Sequence, residues 1–305
     1  MLLELIRYRR WWFTISAILI IPGLISLVLF GIRLGIDFTG GSLLEVKASK
    51  PVSTEQIRQA VGTAYGEPLV QSSGDNAYQI RLKTLTPEQQ NQVIGSLKQV
   101  AGGDLQTRRA ETVGPTIGAD ITRKAILSVV VGSMLIMLYI AYAFRNVPKP
   151  ASAWRFGVTT VLALLHDILF SLGLFSLLGK FGGVEVDANF VAAILTVIGF
   201  SVHDTIVVFD RIRENLLRGH GATLADTVNF SIVQTFVRSV NTSVTVLLVL
   251  AAMYFFGGGS IENFVLALLT GIAIGTYSSI FNAAPVLVSW QLFTEKRAAK
   301  AAAKG

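Results

Sequence analysis

The sequence predicts an α-helical membrane protein with six transmembrane helices and one α+β ferredoxin-like domain, of βαββαβ order, between helices 1 and 2. Three observations predict it. Six apolar runs lie near 11–31, 124–144, 156–179, 187–209, 240–256 and 264–292, each close to the length that crosses a bilayer. A polar stretch of about 90 residues with ordinary charge density follows the first run. Charged residues make up 15% of the 305, against roughly 25% in a soluble domain.

The first run is too long for a signal-peptide core and no small-residue cleavage pattern follows it, so it reads as a retained helix. The expected division is 1–34 for the N-terminus and helix 1, 35–123 for the domain, 124–292 for helices 2–6, and 293–305 for a basic tail. Basic residues cluster before span 1 (Arg7, Arg9, Arg10), between spans 2 and 3 (Arg145, Lys149, Arg155), after span 4 (Arg211, Arg213, Arg218) and after span 6 (Lys296, Arg297, Lys300, Lys304). The short opposite loops hold only Lys180. This asymmetry places both termini in the cytoplasm and the domain outside. It also accounts for the net charge of +7 without nucleic acid. Cysteine is absent, which excludes disulfides and thiolate chemistry.

Within the domain, 42–47 reads as a strand. Ser53 with Gln56 forms a capping box for a helix ending near Tyr65–Gly66. Strands at 69–71 and 77–83 flank the turn cluster Ser73-Gly74-Asp75-Asn76. Thr86, Pro87 and Gln89 open a second helix that ends at Gly102-Gly103, and 105–112 is the last strand. That order is the ferredoxin-like one. The domain contains no histidine and no clustered carboxylates. It therefore reads as a binding surface for a partner or an extended polypeptide.

The chemistry sits in the spans. A carboxylate in the membrane costs a few kcal/mol and marks a functional site. Span 4 carries His203-Asp204 and span 3 carries His166-Asp167. Thr196 and Ser201 lie eight and three residues before Asp204, on its helix face, so the sequence suggests one polar seam. His203 points about 100° away from Asp204 and is either a packing residue or a relay. His166-Asp167 is either a second relay or an intramembrane pair satisfied by span 2 or span 4. Asp204 lies about five residues, or roughly 7 Å, inside the end of its span. Arg238, at the start of span 5, comes at similar depth, so an Asp204–Arg238 pair is expected. A metal centre built from the two His-Asp pairs is disfavoured, because adjacent residues on a helix diverge. The Gly271–Gly275 spacing predicts close helix approach in span 6. The segment 210–236, amphipathic and basic at its start, is expected to lie along the cytoplasmic surface.

The motifs resemble those of the SecF family of bacterial protein-export subunits, in the resistance-nodulation-division superfamily. Gly35, Asp37, Phe38, Gly40 and Gly41 form its signature after span 1, and the Phe after Asp is similar to SecF rather than to its sister SecD. Val113-Gly114-Pro115, His166-Asp167, the run from Asp204 to Asn215, and the run from Arg238 to Ser243 match further motifs. His203 departs from the pattern, which often has Asn there. The resemblance implies a non-enzymatic, multi-pass subunit of the bacterial inner membrane. It also implies a SecD-like partner, association with SecYEG, SecA, YidC and YajC, and an unfolded preprotein on the outer side. It places Asp204 and Arg238 on a proton path and involves no cofactor and no metal. Two other classes compete with this reading. Half of a small-molecule or lipid exporter of the same superfamily is the alternative, and against it this chain's outer domain is a single small ferredoxin-like unit with little room for a drug pocket. An intramembrane hydrolase lacks both a close carboxylate pair on one face and a zincin histidine pair. Whether protons or sodium ions drive the protein is open at this level.

Overall fold

The computed structural model describes residues 4–72, 76–148, 151–257 and 261–302. The expected turn residues Ser73-Gly74-Asp75, and Lys149 and Lys304 of the basic clusters, lie outside the described residues. The chain divides into two compact units. One contains 1–32, 128–180 and 189–305; the other contains 33–127 and 181–188.

The smaller unit contains the βαββαβ domain. After a short helix α2 (Ile36–Thr39) come β1 (Gly41–Ala48), α3 (Thr54–Val61), β2 (Leu69–Ser72), β3 (Ala77–Leu82), α4 (Pro87–Val100) and β4 (Leu105–Val113). All pairings are antiparallel and the sheet order is β2-β3-β1-β4. The inward residues of the central strands, Leu44, Val46, Ile80 and Leu82, pack against Ile57 and Val61 of α3 and Val93 and Leu97 of α4. Both helices begin with the capping boxes read from the sequence, Ser53–Gln56 and Thr86–Gln89. Their ends come earlier than expected. Helix α3 stops at Val61 with Gly62 as C-cap at φ 68°, not near Tyr65, and α4 stops at Val100 rather than at the glycine pair. The edge strand β4 is largely exposed. Its register shifts opposite Glu45/Val46, where Arg108 is the extra residue. A charged, bulged edge resists pairing with another chain. Gly40 and Gly41 take φ values of 72° and 129°, and a Cβ on Gly41 would sit 2.8 Å from the Leu82 carbonyl oxygen. Only glycine accepts both constraints.

The loop 183–187 belongs to this unit as well. Gly35 N–H donates to the Val186 carbonyl at 2.7 Å, and Val186 N–H donates to the Arg33 carbonyl at 2.8 Å. Glu185 pairs with Arg81 and, at 3.5 Å, with Arg33. This clasp has no periodic signature, and the sequence reading did not contain it.

The larger unit is helical. Its spans are α1 (Arg9–Phe30), the C-terminal part of α5 (Pro115–Ala143), α6 (Ala153–Gly182), α7 (Ala188–Leu217), α8 (Leu224–Phe256), and a last span made of α9 (Glu262–Ser278), a π-helical segment (Ser279–Ala283) and α10 (Ala284–Ala302). Among the described residues, these are the six helices long and apolar enough to cross a membrane. Helices α6 and α7 hold the centre through Phe156 and Phe209, whose rings meet at 4.7 Å, and Phe175 and Phe190 at 4.5 Å. Helix α9 approaches α7 where Gly271 faces Val197 and Gly275 faces Ser201, as the small-residue spacing predicts. One expectation is corrected. The segment 210–236 is not a separate surface helix. Helix α7 continues to Leu217, Gly219 and Gly221 turn the chain at φ 69° and 92°, and the Thr223–Asp226 capping box starts α8. The amphipathic pattern there belongs to the ends of two long helices packed on each other.

Candidate functional site

Among the described residues, two carboxylates are buried among the helices of the larger unit. Asp204 on α7 is 7% exposed and Asp167 on α6 is 1% exposed. Helices α6 and α7 are the central ones, so the residues midway along them lose water first, and each carboxylate must find donors inside the protein. Serine hydroxyls supply them. Ser239 of α8 and Ser279 of the π-helical segment both donate to Asp204. Ser201 of α7 donates to Asp167 at 2.6 Å and Ser278 of α9 donates to it at 2.8 Å. His166 Nδ1 lies 3.0 Å from the other oxygen of Asp167. Thr276 donates to Ser243 at 2.6 Å, which extends the hydroxyl network between α9 and α8.

The π-helical turn sits just before Pro285. Proline has no N–H for the carbonyl one turn back, and its ring crowds that carbonyl. A widened turn at this place relieves both, and such turns are rare and concentrate at functional sites. Consecutive residues on a helix diverge by about 100°. Ser278 and Ser279 accordingly reach different helices.

Two geometric expectations are corrected here. Asp204 takes its hydrogen bonds from serines, not from Arg238. Arg238 is exposed and lines a small cleft with Asp204, His203, Phe200, Val207, Ser239, Thr242 and Ser243. Hydroxyl donors on two packed helices satisfy the carboxylate, and the long guanidinium stem is left free to turn outward. The single polar seam divides as well. Ser201 serves Asp167, while Thr196 is exposed and donates to the Ala192 carbonyl of its own helix at 2.9 Å. His203, read as a packing residue or a relay, is exposed in this chain. Ser239, Ser278 and Ser279 were not singled out in the sequence, although the run Thr276, Ser278, Ser279 in an apolar span was a readable signal.

The signature after span 1 has a structural position. Asp37 accepts the N–H of Ala188, the first residue of α7, at 2.8 Å. It satisfies one of that helix's unpaired donors and places a negative charge at its N-terminus. Phe38 presents its carbonyl to Gly118, where a Cβ would lie 2.9 Å from the oxygen.

An exposed polar stripe completes the site. Arg238, Asn241, Thr242 and Thr245 follow one face of α8 at helical spacing, and His203 lies exposed on α7. These groups lie in helices otherwise apolar enough for a bilayer.

Six apolar helices, a βαββαβ domain between the first two, and buried carboxylates on the third and fourth define a polytopic transport-type membrane subunit. The profile described as "Protein export membrane protein SecD/SecF, C-terminal" matches residues 92–292, and the "SecD/SecF GG Motif" matches 25–52. The protein translocase subunit SecF of Thermobaculum terrenum is 46% identical over 95% of this chain and 94% of its own. That of Anaerolinea thermophila is 40% identical, with the same two shares. The crystal structure of SecDF, a translocon-associated membrane protein from Thermus thermophilus, superposes with a TM-score of 0.80 at 33% identity, over 94% of this chain and 38% of that longer one. SecDF in its super-membrane-facing form gives 0.67 at 34% identity, over 98% and 40%. The chain belongs to the SecD/SecF family of protein-export membrane proteins, on its SecF branch.

Proposed function

We propose that this chain is a subunit of the Sec protein-export machinery and, with a SecD partner, uses the proton motive force to complete preprotein translocation. The observation that carries the reading is Asp204. It is a buried membrane carboxylate held by two serine hydroxyls, with no lysine or arginine bonded to it among the described residues, at the edge of a cleft shared with Arg238 and His203. A carboxylate so placed is expensive when ionised and inexpensive when protonated. It suits the reversible binding of a proton, and Arg238 is the nearby cation that responds to the change. This is binding and release, with no covalent step.

The polar stripe on α8 supports the SecD partner, because Arg238, Asn241, Thr242 and Thr245 would be costly against lipid. The SecDF chain is more than twice the length matched here, and in this reading a SecD-type partner corresponds to the part of it that this chain does not match. The Lys/Arg asymmetry supports both termini in the cytoplasm and residues 35–123 on the outer side, and the bacterial inner membrane is the location in this reading. There the βαββαβ domain would meet the emerging unfolded preprotein. SecYEG with SecA, and YidC and YajC, are the associated partners in this reading.

The test is export into inverted membrane vesicles, with purification in mild detergent. Asp204→Asn keeps the shape and removes the titration. It should abolish the proton-driven component of export while the chain still co-purifies with its SecD partner. Normal proton-driven export by that variant overturns the proton path. Purification as a homotrimer without SecD or translocon subunits would favour a small-molecule exporter.

A further inference from the structure

We propose that Asp167 is a second proton-binding carboxylate and that Ser278 and Ser279, consecutive residues at the start of the π-helical segment, couple its protonation to that of Asp204. The proposal rests on the proton path through Asp204 and extends it to α6.

Asp167 is the more deeply buried of the two carboxylates, and no lysine or arginine bonds to it among the described residues. The titratable groups around it are few. His166 is on its own helix, Asp204 on α7, Tyr277 on α9, and Arg238 on α8 beside Asp204. Helix α1, packed on α6 at Gly23 and Gly173, has no titratable side chain beyond Arg10. The His166 ring stacks on Tyr277 with centroids 6.3 Å apart, and its Nε2 is buried without a hydrogen-bond partner among the described residues. An orphaned buried nitrogen costs about 1–3 kcal/mol and calls for an explanation. A static pair leaves it unexplained, whereas a pair that exchanges a proton needs the second nitrogen accessible to one.

The serines are arranged for two protonation states. Ser278 Oγ reaches Asp167 at 2.8 Å and also the Gly275 carbonyl at 3.1 Å. Ser279 Oγ reaches Asp204 and also the Thr276 carbonyl at 2.9 Å. Each hydroxyl has one hydrogen and two acceptors. With the carboxylate ionised, the hydrogen points to it. With the carboxyl protonated, its O–H donates to the serine oxygen, and the serine hydrogen turns to the carbonyl of its own helix. Neither the two serine hydroxyls nor the carboxyl groups they bond are left unsatisfied in either state. The two serines share a peptide bond inside a widened turn, so a shift of one moves the other. Ser201 adds a second link, because it bonds Asp167 and lies three residues before Asp204. The step is a proton transfer: an Oδ–H bond forms on Asp167, an O–H bond of an incoming hydronium breaks, and no electron is gained or lost.

Infrared difference spectra of the full chain, co-purified with its SecD partner and stepped through pH, test this. Two carboxyl C=O bands should grow as pH falls. Asp167→Asn should remove one and Asp204→Asn the other. Asp167→Asn and Ser278→Ala should each displace the midpoint of the Asp204 band by about one pH unit, the coupling at which a titration belongs to a pair. Ser278→Ala keeps both carboxylates and carries the measurement should Asp167→Asn fail to assemble. An Asp167→Asn chain that loses no band overturns the proposal. So does an Asp204 midpoint that neither variant moves. Normal export by Asp204→Asn would instead remove the function proposed above, while the second titrating band would still stand as an observation on Asp167.

Discussion

Gly23 of α1 and Gly173 of α6 meet backbone to backbone: a Cβ on Gly173 would lie 2.7 Å from the Gly23 Cα, and one on Gly23 would lie 2.8 Å from the Gly173 Cα. Helices in lipid gain little from hydrophobic burial against each other, so close backbone approach through small residues is what holds them. Three residues further along both helices Ser26 and Ser176 bond at 2.8 Å, and Ser176 also donates to the Gly31 carbonyl at 2.7 Å. The glycine contact sets the distance that allows these bonds.

Gly173→Ala should therefore destabilise the larger unit by about 1–3 kcal/mol, the usual cost of overpacking. Gly132→Ala is the control, since a Cβ there meets nothing within 4 Å. Thermal unfolding in detergent compares the two. Equal melting temperatures for both variants would show that α1 and α6 do not depend on this contact.

The clasp on the smaller unit gives a pH-dependent expectation. Burial raises the Glu185 carboxyl above its ordinary value, against the pull of Arg81 and Arg33. Burial likewise lowers Arg81, against the pull of Glu185. Desolvation thus outweighs attraction on both partners, as is common for partly buried pairs. For a carboxyl raised in the folded state, the stabilising contribution is complete below its ordinary value, about 4.3, and is lost as pH rises through the raised one. Hydrogen exchange at the Gly35 and Val186 amides, corrected for intrinsic rate, should show the clasp loosening from pH 4 upward. In Glu185→Gln that slope should vanish. A slope that persists in the variant would assign the pH dependence to another group.

The six apolar helices and the element order of the βαββαβ domain were legible because each rests on local chemistry. Span length, a charge inside a span, and a serine or threonine three residues before glutamine are all visible along the chain. Asp204 was legible for the same reason. Its donors were not, because Ser239 and Ser279 come from two other helices whose rotation is set by packing and by the widened turn before Pro285. The expected Arg238 pairing followed depth alone, and depth does not say which way a long side chain turns. Ser201 shares a helix face with Asp204, yet Asp167 on the neighbouring helix takes its hydroxyl. The clasp of 183–187 was invisible because an isolated bridge, Leu34 to Val186, has no period to read.

Orientation is testable with the chain's own composition. It contains no cysteine, so single substitutions report cleanly. Lys50→Cys, in the βαββαβ domain, should react with a membrane-impermeant thiol reagent added to intact cells, and Ala222→Cys, between α7 and α8, only after the membrane is opened. Labelling of Ala222→Cys from outside would reverse the orientation and remove the domain from the path of an exported polypeptide.

The last expectation separates the groups that hold Asp204 from those that merely lie near it. Ser239→Ala removes a buried hydroxyl donor and leaves a carboxylate oxygen short of a partner, at a cost of about 1–3 kcal/mol. Proton-driven export should fall, and its pH profile should move, because the hydroxyl bonds the two protonation states differently. Arg238→Ala removes the cation at the cleft without touching the hydrogen bonds of Asp204. It should abolish the proton-driven component while the chain still folds and co-purifies with SecD, since Asn241, Thr242 and Thr245 of the polar stripe remain in place. Arg218→Ala is the contrast: its pair with Glu214, 2.6 Å apart, is open to solvent and screened there, and export should stay at the wild-type level. The three variants, compared in one vesicle preparation across pH, form a graded series. Normal export by Arg238→Ala would leave Asp204 without a responding cation and confine proton handling to the two carboxylates and their serines.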